Sequence, residues 1–266
     1  MNHHLGIVNW FGKAIDHYGE PWYRFGRIVS LLERHTQPPF GAKWLDVGCQ
    51  IGQFLKLLQA KYQIVPTGID DFDESNVVEV CRKYLRLEIK EAREVINDSW
   101  RYLSRKIDKT GFNINEKFPF ISALEVLEHM VDTDAFLSEC RNHLEDNGYL
   151  IISTPNINSL RNRVQIPFGV YPAGMEYRNV IHHVRLYNVR ALKSHLKEHG
   201  FEVVAMAGVN FLPARFLRYG LVRKIDARLA NLFPSLCGNI IGVFKAKPQV
   251  TQYSLTLSSA LQVPSQ

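Results

Sequence analysis

Apolar positions along the chain fall into two periods. Short apolar runs occur at KWLDVG (43–48), IVPTGID (64–70), KFPFISAL (117–124), YLIISTPN (149–156), FEVVAMAGV (201–209) and NIIGVFKAK (239–247), and each predicts a buried strand. Between them, QFLKLLQAKY (53–62), TDAFLSECRNHLEDNG (133–148) and VRALKSHLKEHG (189–200) repeat at helical spacing, with Gly148 as the stop signal of the second. WRYLSRKID (100–108) predicts a further strand, and CRKYLRLEIKEAREVI a charged helix. Residues 1–40 form a helical lead-in, amphipathic around WYRFGRIVSLLERH and closed by Pro38 and Pro39. Strand, glycine turn, helix and strand in that order predict a βαβ unit and a parallel sheet in an α/β fold.

Composition changes this picture little. The chain has 266 residues, enough for one α/β domain with a real core, here expected over 41–248. No apolar run reaches the ~18 residues a membrane span needs. The first residues, MNHHLGIVNWFGKAIDHYG, lack the long apolar centre of a signal peptide. Cys49, Cys81, Cys140 and Cys237 are scattered, which argues against a zinc ribbon and fits a reducing, cytoplasmic setting. A net charge of +6 hints at an anionic partner. Residues 249–266 carry no charge and no periodicity, and disorder is expected there.

Chemistry enters at WLDVGCQIGQF (44–54). A strand ends in Asp46, the chain turns on Gly48, and Gly52 permits a second close approach before a helix starts. Such a turn admits a ligand against the backbone, and the helix N-terminus favours an anionic group. Asp70, closing the next strand in TGIDD with Asp71 beside it, can accept hydrogen bonds from the two hydroxyls of a ribose. The dinucleotide fingerprint GxGxxG does not fit, because the glycines are spaced GxxxG. Strand-end aspartates that merely cap helices are the structural alternative.

LDVGCQIGQF, GID, FISALEVLEH, LEDNGYLIISTPN and HVRLYNVRALKSHLKEHGFEVV together resemble the class I S-adenosylmethionine-dependent methyltransferases. The likeness spans roughly residues 40 to 210 and is nearest to the branch with ubiquinone-biosynthesis O-methyltransferases and bacterial enzymes acting on glycans and lipids. It implies a Rossmann-like sheet of seven mostly parallel strands, helices on both faces, an antiparallel last strand, and lid insertions at 157–185 and 210–238 over the carboxyl edge. It implies that Asp46, Gly48, Cys49, Gln50 and Gly52 line the methionine end of the cofactor. Asp70 and Asp71 would serve the ribose, and Leu124 would offer its backbone to the methionine ammonium. The family usually has glycine where Gln50 stands, so a side chain crowds the loop here. Asp108 is the candidate for the adenine-binding acid.

ALEVLEHM (123–130) sets Glu125, Glu128 and His129 at i, i+3 and i+4, on one face if the segment turns helically. By the resemblance they lie beside the methyl donor. A hydroxyl acceptor must lose its proton around the time it attacks, through a histidine base or a metal that lowers its pKa. EVLEH resembles the E-x-x-E-H metal motif of small-RNA 3′-terminal 2′-O-methyltransferases and some ubiquinone-pathway enzymes. In IHHVRLYN, His182 and His183 follow, with His183 the better match to the completing ligand. The expected catalytic set is His129, Glu125 and His183, and the expected metal set is Glu125, Glu128, His129 and His183, suiting Mg²⁺, Mn²⁺ or Zn²⁺. The competing view is a charged helix start with a structural histidine.

Both insertions mix aromatic or apolar residues with arginine: Arg161, Arg163, Phe168, Tyr171, Tyr177 and Arg178 in one, and Arg215, Arg218, Arg223, Lys224 and Arg228 in the other. The second forms an amphipathic basic helix, packed on its own domain or in peripheral contact with a membrane. The expected acceptor is a hydroxyl of a small, glycan or lipid-linked molecule. RNA 2′-O-methylation is one alternative, although no RNA-binding module or stacking motif is evident. A cofactor-binding scaffold without catalysis, motivated by Gln50, is the other.

Overall fold

The computed structural model describes residues 9–10, 13–14, 20–50, 52–70, 101–104, 107, 111–172, 183–213, 216–217 and 220–248. The helix expected in CRKYLRLEIKEAREVI, the residues Asp71, Cys81, Asp108, Tyr177, Arg178, His182, Arg215 and Arg218, and the tail expected to be disordered lie outside these.

Elements follow in chain order: β1 (Asn9–Trp10), β2 (Lys13–Ala14), α1 (Glu20–His35), β3 (Lys43–Val47), α2 (Gln53–Tyr62), β4 (Val65–Asp70), β5 (Arg101–Ser104) and β6 (Phe118–Leu124). Then come α3 (Thr133–His143), β7 (Leu144–Pro155), α4 (Leu160–Gln165), α5 (Val189–Glu198), β8 (Phe201–Val209), α6 (Gly220–Leu232) and β9 (Asn239–Ala246). β1 and β2 form a small antiparallel ladder, so the lead-in is not helical throughout.

Among the described residues one sheet has seven strands in the order β5-β4-β3-β6-β7-β9-β8. β3 pairs in parallel with β4 and β6, while β9 runs antiparallel to β7 and β8. From β3 the chain builds outward through β4 and β5, then crosses to β6 and β7 on the other side. That reversal falls at the carboxyl ends of β3 and β6, the edge where open α/β sheets take their ligands.

Two apolar layers hold the sheet. Ile28 and Leu32 of α1 and Leu55 and Leu58 of α2 meet Trp44, Phe120 and Ile151 on one face. Phe136, Leu137 and Cys140 of α3 and Leu192 and Leu196 of α5 meet Leu45, Val47, Ile121 and Ile152 on the other. Trp44 and Leu45, neighbours in β3, therefore both lie fully buried, as a central parallel strand requires. Each such side chain contributes about 1.5–3 kcal/mol of burial. Trp44 also stacks on Phe120, with ring centroids 4.7 Å apart.

The helix expected over 133–148 ends earlier, at His143. Leu144 is fully buried and pairs with Phe118, so the chain turns extended there, and the register is irregular before Tyr149 meets Phe120. Gly148 therefore lies within β7, where an added Cβ would come 3.0 Å from the Glu145 carbonyl oxygen. The basic insert forms α6, which packs on its own domain: Tyr23 of α1 donates its hydroxyl hydrogen to buried Asp226 at 2.7 Å.

Candidate active site

β3 ends in a loop shaped by left-handed backbone. Gly48 and Gly52 both adopt φ 73°, and Gln50 adopts φ 49° without being glycine. A Cβ on Gly48 would come 2.4 Å from Val126 Cγ2, so the loop after β3 closes directly on the segment after β6. Glycine is required at Gly48 by conformation and by space together. The N–H groups of Gly48 and Cys49 both donate to the Ile69 carbonyl, at 2.8 and 3.2 Å. The Gln50 N–H donates to Asp70 Oδ2 at 2.6 Å, which draws the end of β4 to the loop. Cys49 is buried, and desolvation pushes its thiol well above the usual range, which disfavours the thiolate.

Asp46 lies under this loop and is buried. Ser122 Oγ donates to Asp46 Oδ1 at 2.5 Å, and Trp44 Nε1 donates to Ser122 Oγ at 2.8 Å. Burial pushes the Asp46 carboxyl up to about 7, opposed by the Ser122 hydrogen bond and reinforced by the charge of Asp70. Leu124 closes β6 opposite Ser153.

The segment ALEVLEHM does not turn as one helix. Glu125 takes φ 57°, and only Leu127–His129 form a single 3₁₀ turn. Glu125 thereby leaves the face of Glu128 and His129. Its carboxylate accepts from Ser153 Oγ at 2.8 Å and Asn239 Nδ2 at 2.9 Å, with an Arg24 guanidinium nitrogen at 3.5 Å. Glu125 is thus a tie between α1, β7 and β9. It stands outside the compact cluster, so of the four residues expected from the sequence to hold a metal the structure groups three.

Those three are Glu128, His129 and His183, whose ligand atoms all lie within 4.8 Å of one another. The two imidazole rings meet edge to face with centroids 4.8 Å apart. Glu128 is buried; Thr154 Oγ1 donates to its Oε2 at 3.1 Å, while Oε1 is buried without a hydrogen-bond partner among the described residues. Desolvation and then the nearby Glu125 charge raise the Glu128 carboxyl pKa. The Val184 and Arg185 N–H groups donate to the Glu128 carbonyl, at 2.8 and 3.1 Å, and so hold the His183 segment against this turn. An orphaned carboxylate oxygen beside two imidazoles fits a cation.

Ser122, Thr154, Val126, Arg24 and Asn239 escape sequence reasoning. Ser122 and Thr154 carry a faint signal, as lone hydroxyls near the carboxyl ends of apolar strands. Arg24 and Asn239 carry none, because only the tertiary fold brings them to Glu125.

A topological switch point, a glycine turn after the first central strand and an acid closing the second are the features of nucleotide-cofactor α/β folds. A family model described as a methyltransferase domain matches residues 22–206, and the chain belongs to that family. It is an S-adenosylmethionine-dependent methyltransferase. The ubiquinone biosynthesis O-methyltransferase of Glaesserella parasuis is 26% identical over 70% of this chain and 75% of its own length. The human mitochondrial enzyme of the same name is 27% identical over 70% of this chain but only 49% of its own length. In the complex between the Haloferax volcanii Trm112 methyltransferase activator and a methyltransferase, one chain aligns with a TM-score of 0.58 at 15% identity. That alignment covers 87% of this chain and 92% of the other, and it shows the fold alone.

Proposed function

We propose that this enzyme methylates a hydroxyl oxygen of a small acceptor with apolar, glycan or lipid-linked character. S-adenosylmethionine, when bound, supplies an electrophilic methyl group. Gly48, Cys49, Gln50 and Gly52 would receive its methionine end, with buried Asp46 tying the end of β3 to β6 through Ser122. Asp70 would accept from the ribose hydroxyls, and Leu124 would present its backbone to the ammonium group. The residues fit: the turn after β3 is held in left-handed backbone at Gly48, the helix N-terminus at Gly52 follows it, and the Asp70 carboxylate stands at the neighbouring strand's end.

The observation that carries acceptor chemistry is the Glu128–His129–His183 cluster at the carboxyl edge of β6, with one Glu128 oxygen orphaned. His129 is exposed there and can take a proton from an incoming hydroxyl. Alternatively, Glu128, His129 and His183 would hold a divalent cation of the Mn²⁺ or Zn²⁺ type, whose chemistry is to lower the pKa of a bound hydroxyl; His129 is then a ligand and not the base. Glu125 shapes this cluster by its charge and its ties.

Residues 157–185 and 210–238 are the acceptor-side lids in this proposal. Support comes from α4 and the turn after it, where Leu160, Val164, Ile166 and Phe168 are exposed, Phe168 to 81%. The arginines between them are occupied: Arg161 donates to Gln165 and Arg163 to the Asn158 carbonyl. Apolar side chains facing outward suit a hydrophobic acceptor better than an RNA backbone. Among the described residues no helix is long and apolar enough to cross a membrane.

Methyl transfer from labelled S-adenosylmethionine to a panel of phenols, sugars and lipid-linked hydroxyls tests the proposal, with and without chelator. His129→Ala should lower kcat by ~10²–10⁴-fold while leaving cofactor affinity unchanged. Transfer only to amines, or full activity in His129→Ala, contradicts it.

A further inference from the structure

A second histidine cluster lies outside this site. Asp134 stands in the first turn of α3, His195 in the last turn of α5, and His199 one position past its end. Their ligand atoms all lie within 4.8 Å of one another. His195 Nε2 is 2.6 Å from Asp134 Oδ1, and His199 Nε2 is 3.6 Å from the same oxygen. The two rings meet edge to face with centroids 4.9 Å apart.

We propose that Asp134, His195 and His199 form a second metal site, taking one zinc-type divalent ion through two imidazole nitrogens and one carboxylate oxygen. The decisive feature is what each ring does with its other nitrogen. His199 Nδ1–H donates to the His195 carbonyl at 3.0 Å, which fixes the tautomer and leaves the Nε2 lone pair facing Asp134. His195 Nδ1 meets the Tyr187 hydroxyl at 2.9 Å, so that Nδ1–H can donate there while Nε2 ligates. Ligating histidines are characteristically held in this way, by an outer partner on the nitrogen that does not bind the ion.

A plain ion pair accounts for half of this geometry. One proton satisfies Asp134 and His195 but leaves the His199 lone pair facing a carboxylate acceptor. Protonating both rings instead puts two like charges side by side. A divalent ion replaces both protons and engages all three groups. Two nitrogens and one oxygen select zinc, cobalt, nickel or copper over magnesium or calcium. The Asp134 side chain is 76% exposed, so water can complete a tetrahedral shell from the open side. The site joins α3 to α5 and, through Tyr187, steadies the segment that carries His183. It is a structural staple, and it stands independently of the acceptor chemistry proposed above.

The test is zinc titration by calorimetry of the full chain after chelator treatment. It is made in a His129→Ala background, so that the Glu128 cluster does not contribute a second ion. One equivalent should bind, and Asp134→Asn and His199→Gln should each weaken it at least about tenfold, with Tyr187→Phe weakening it by a smaller factor. Zinc should also raise the melting temperature of the background protein and not that of Asp134→Asn, whose exposed position leaves folding intact. Cobalt substitution should give a visible absorption band that disappears in His199→Gln. No bound zinc, or stoichiometry and affinity unchanged by both Asp134→Asn and His199→Gln, overturns the proposal.

Discussion

The backbone N–H of Gln50 donates to the carboxylate of Asp70 at 2.6 Å, so the loop after β3 and the acid closing β4 are one unit. The unit carries a local cost, because Gln50 holds φ 49°, where a side chain is disfavoured by roughly 1 kcal/mol. Gln50→Gly should relieve that strain and open the loop, tightening S-adenosylhomocysteine binding severalfold. Calorimetry on the two proteins checks this; weaker binding in Gln50→Gly would mean that the glutamine side chain contributes to the site.

Gly48 allows no side chain at all. Gly48→Ala should destabilise the protein by about 1–3 kcal/mol through the clash with Val126 and the positive φ. Adding Val126→Ala should recover the part due to the clash and leave the conformational part. Urea unfolding of the single and double variants separates the two.

Buried Asp46 makes stability depend on pH in a defined sense. Its native pKa of about 7 lies above the ~3.9 of an unfolded chain. Between these values the unfolded state gives up the proton while the native state keeps it, so its contribution to stability falls as pH rises from about 4 to about 7 and is then constant. Asp46→Asn can still accept the Ser122 hydrogen bond and should remove this slope, gaining about 2–4 kcal/mol relative to wild type at pH 8. Chemical denaturation at pH 5 and pH 8 measures it. An unchanged pH dependence in Asp46→Asn would show that other groups govern the slope.

Glu125 and His129 should separate structure from chemistry. Glu125→Ala removes the acceptor of Ser153 Oγ and Asn239 Nδ2 and the charge facing Arg24, and should cost about 1–3 kcal/mol of stability. His129→Ala, at an exposed position, should leave the melting temperature within a degree or two and remove transfer. Thermal unfolding alongside initial rates distinguishes them, and the reverse pattern would exchange the two roles.

The apolar periods of the sequence disclosed much of the sheet, because a strand buried on both faces, such as FPFISAL, has few other ways to be read. The end of α3 was not legible. LEDNG continues a helical pattern locally, and only the pairing of Leu144 with Phe118 turns it into strand. The face shared by Glu125, Glu128 and His129 failed for a related reason: a left-handed φ at Glu125 leaves no mark on the sequence. Asp134, His195 and His199 were not picked out in the sequence, although the two histidines stand at i and i+4. The carboxylate that completes the trio lies 61 residues earlier, and only the packing of α3 beside α5 reveals it.

The measurement closest to the central claim is calorimetric titration of the protein with S-adenosylhomocysteine, with Asp70→Ala as its control. The account predicts saturable binding at one site, lost or weakened at least about tenfold when the Asp70 carboxylate is removed. Absence of binding by folded wild-type protein, or equal affinity in Asp70→Ala, would contradict the placement of the cofactor on the loop after β3.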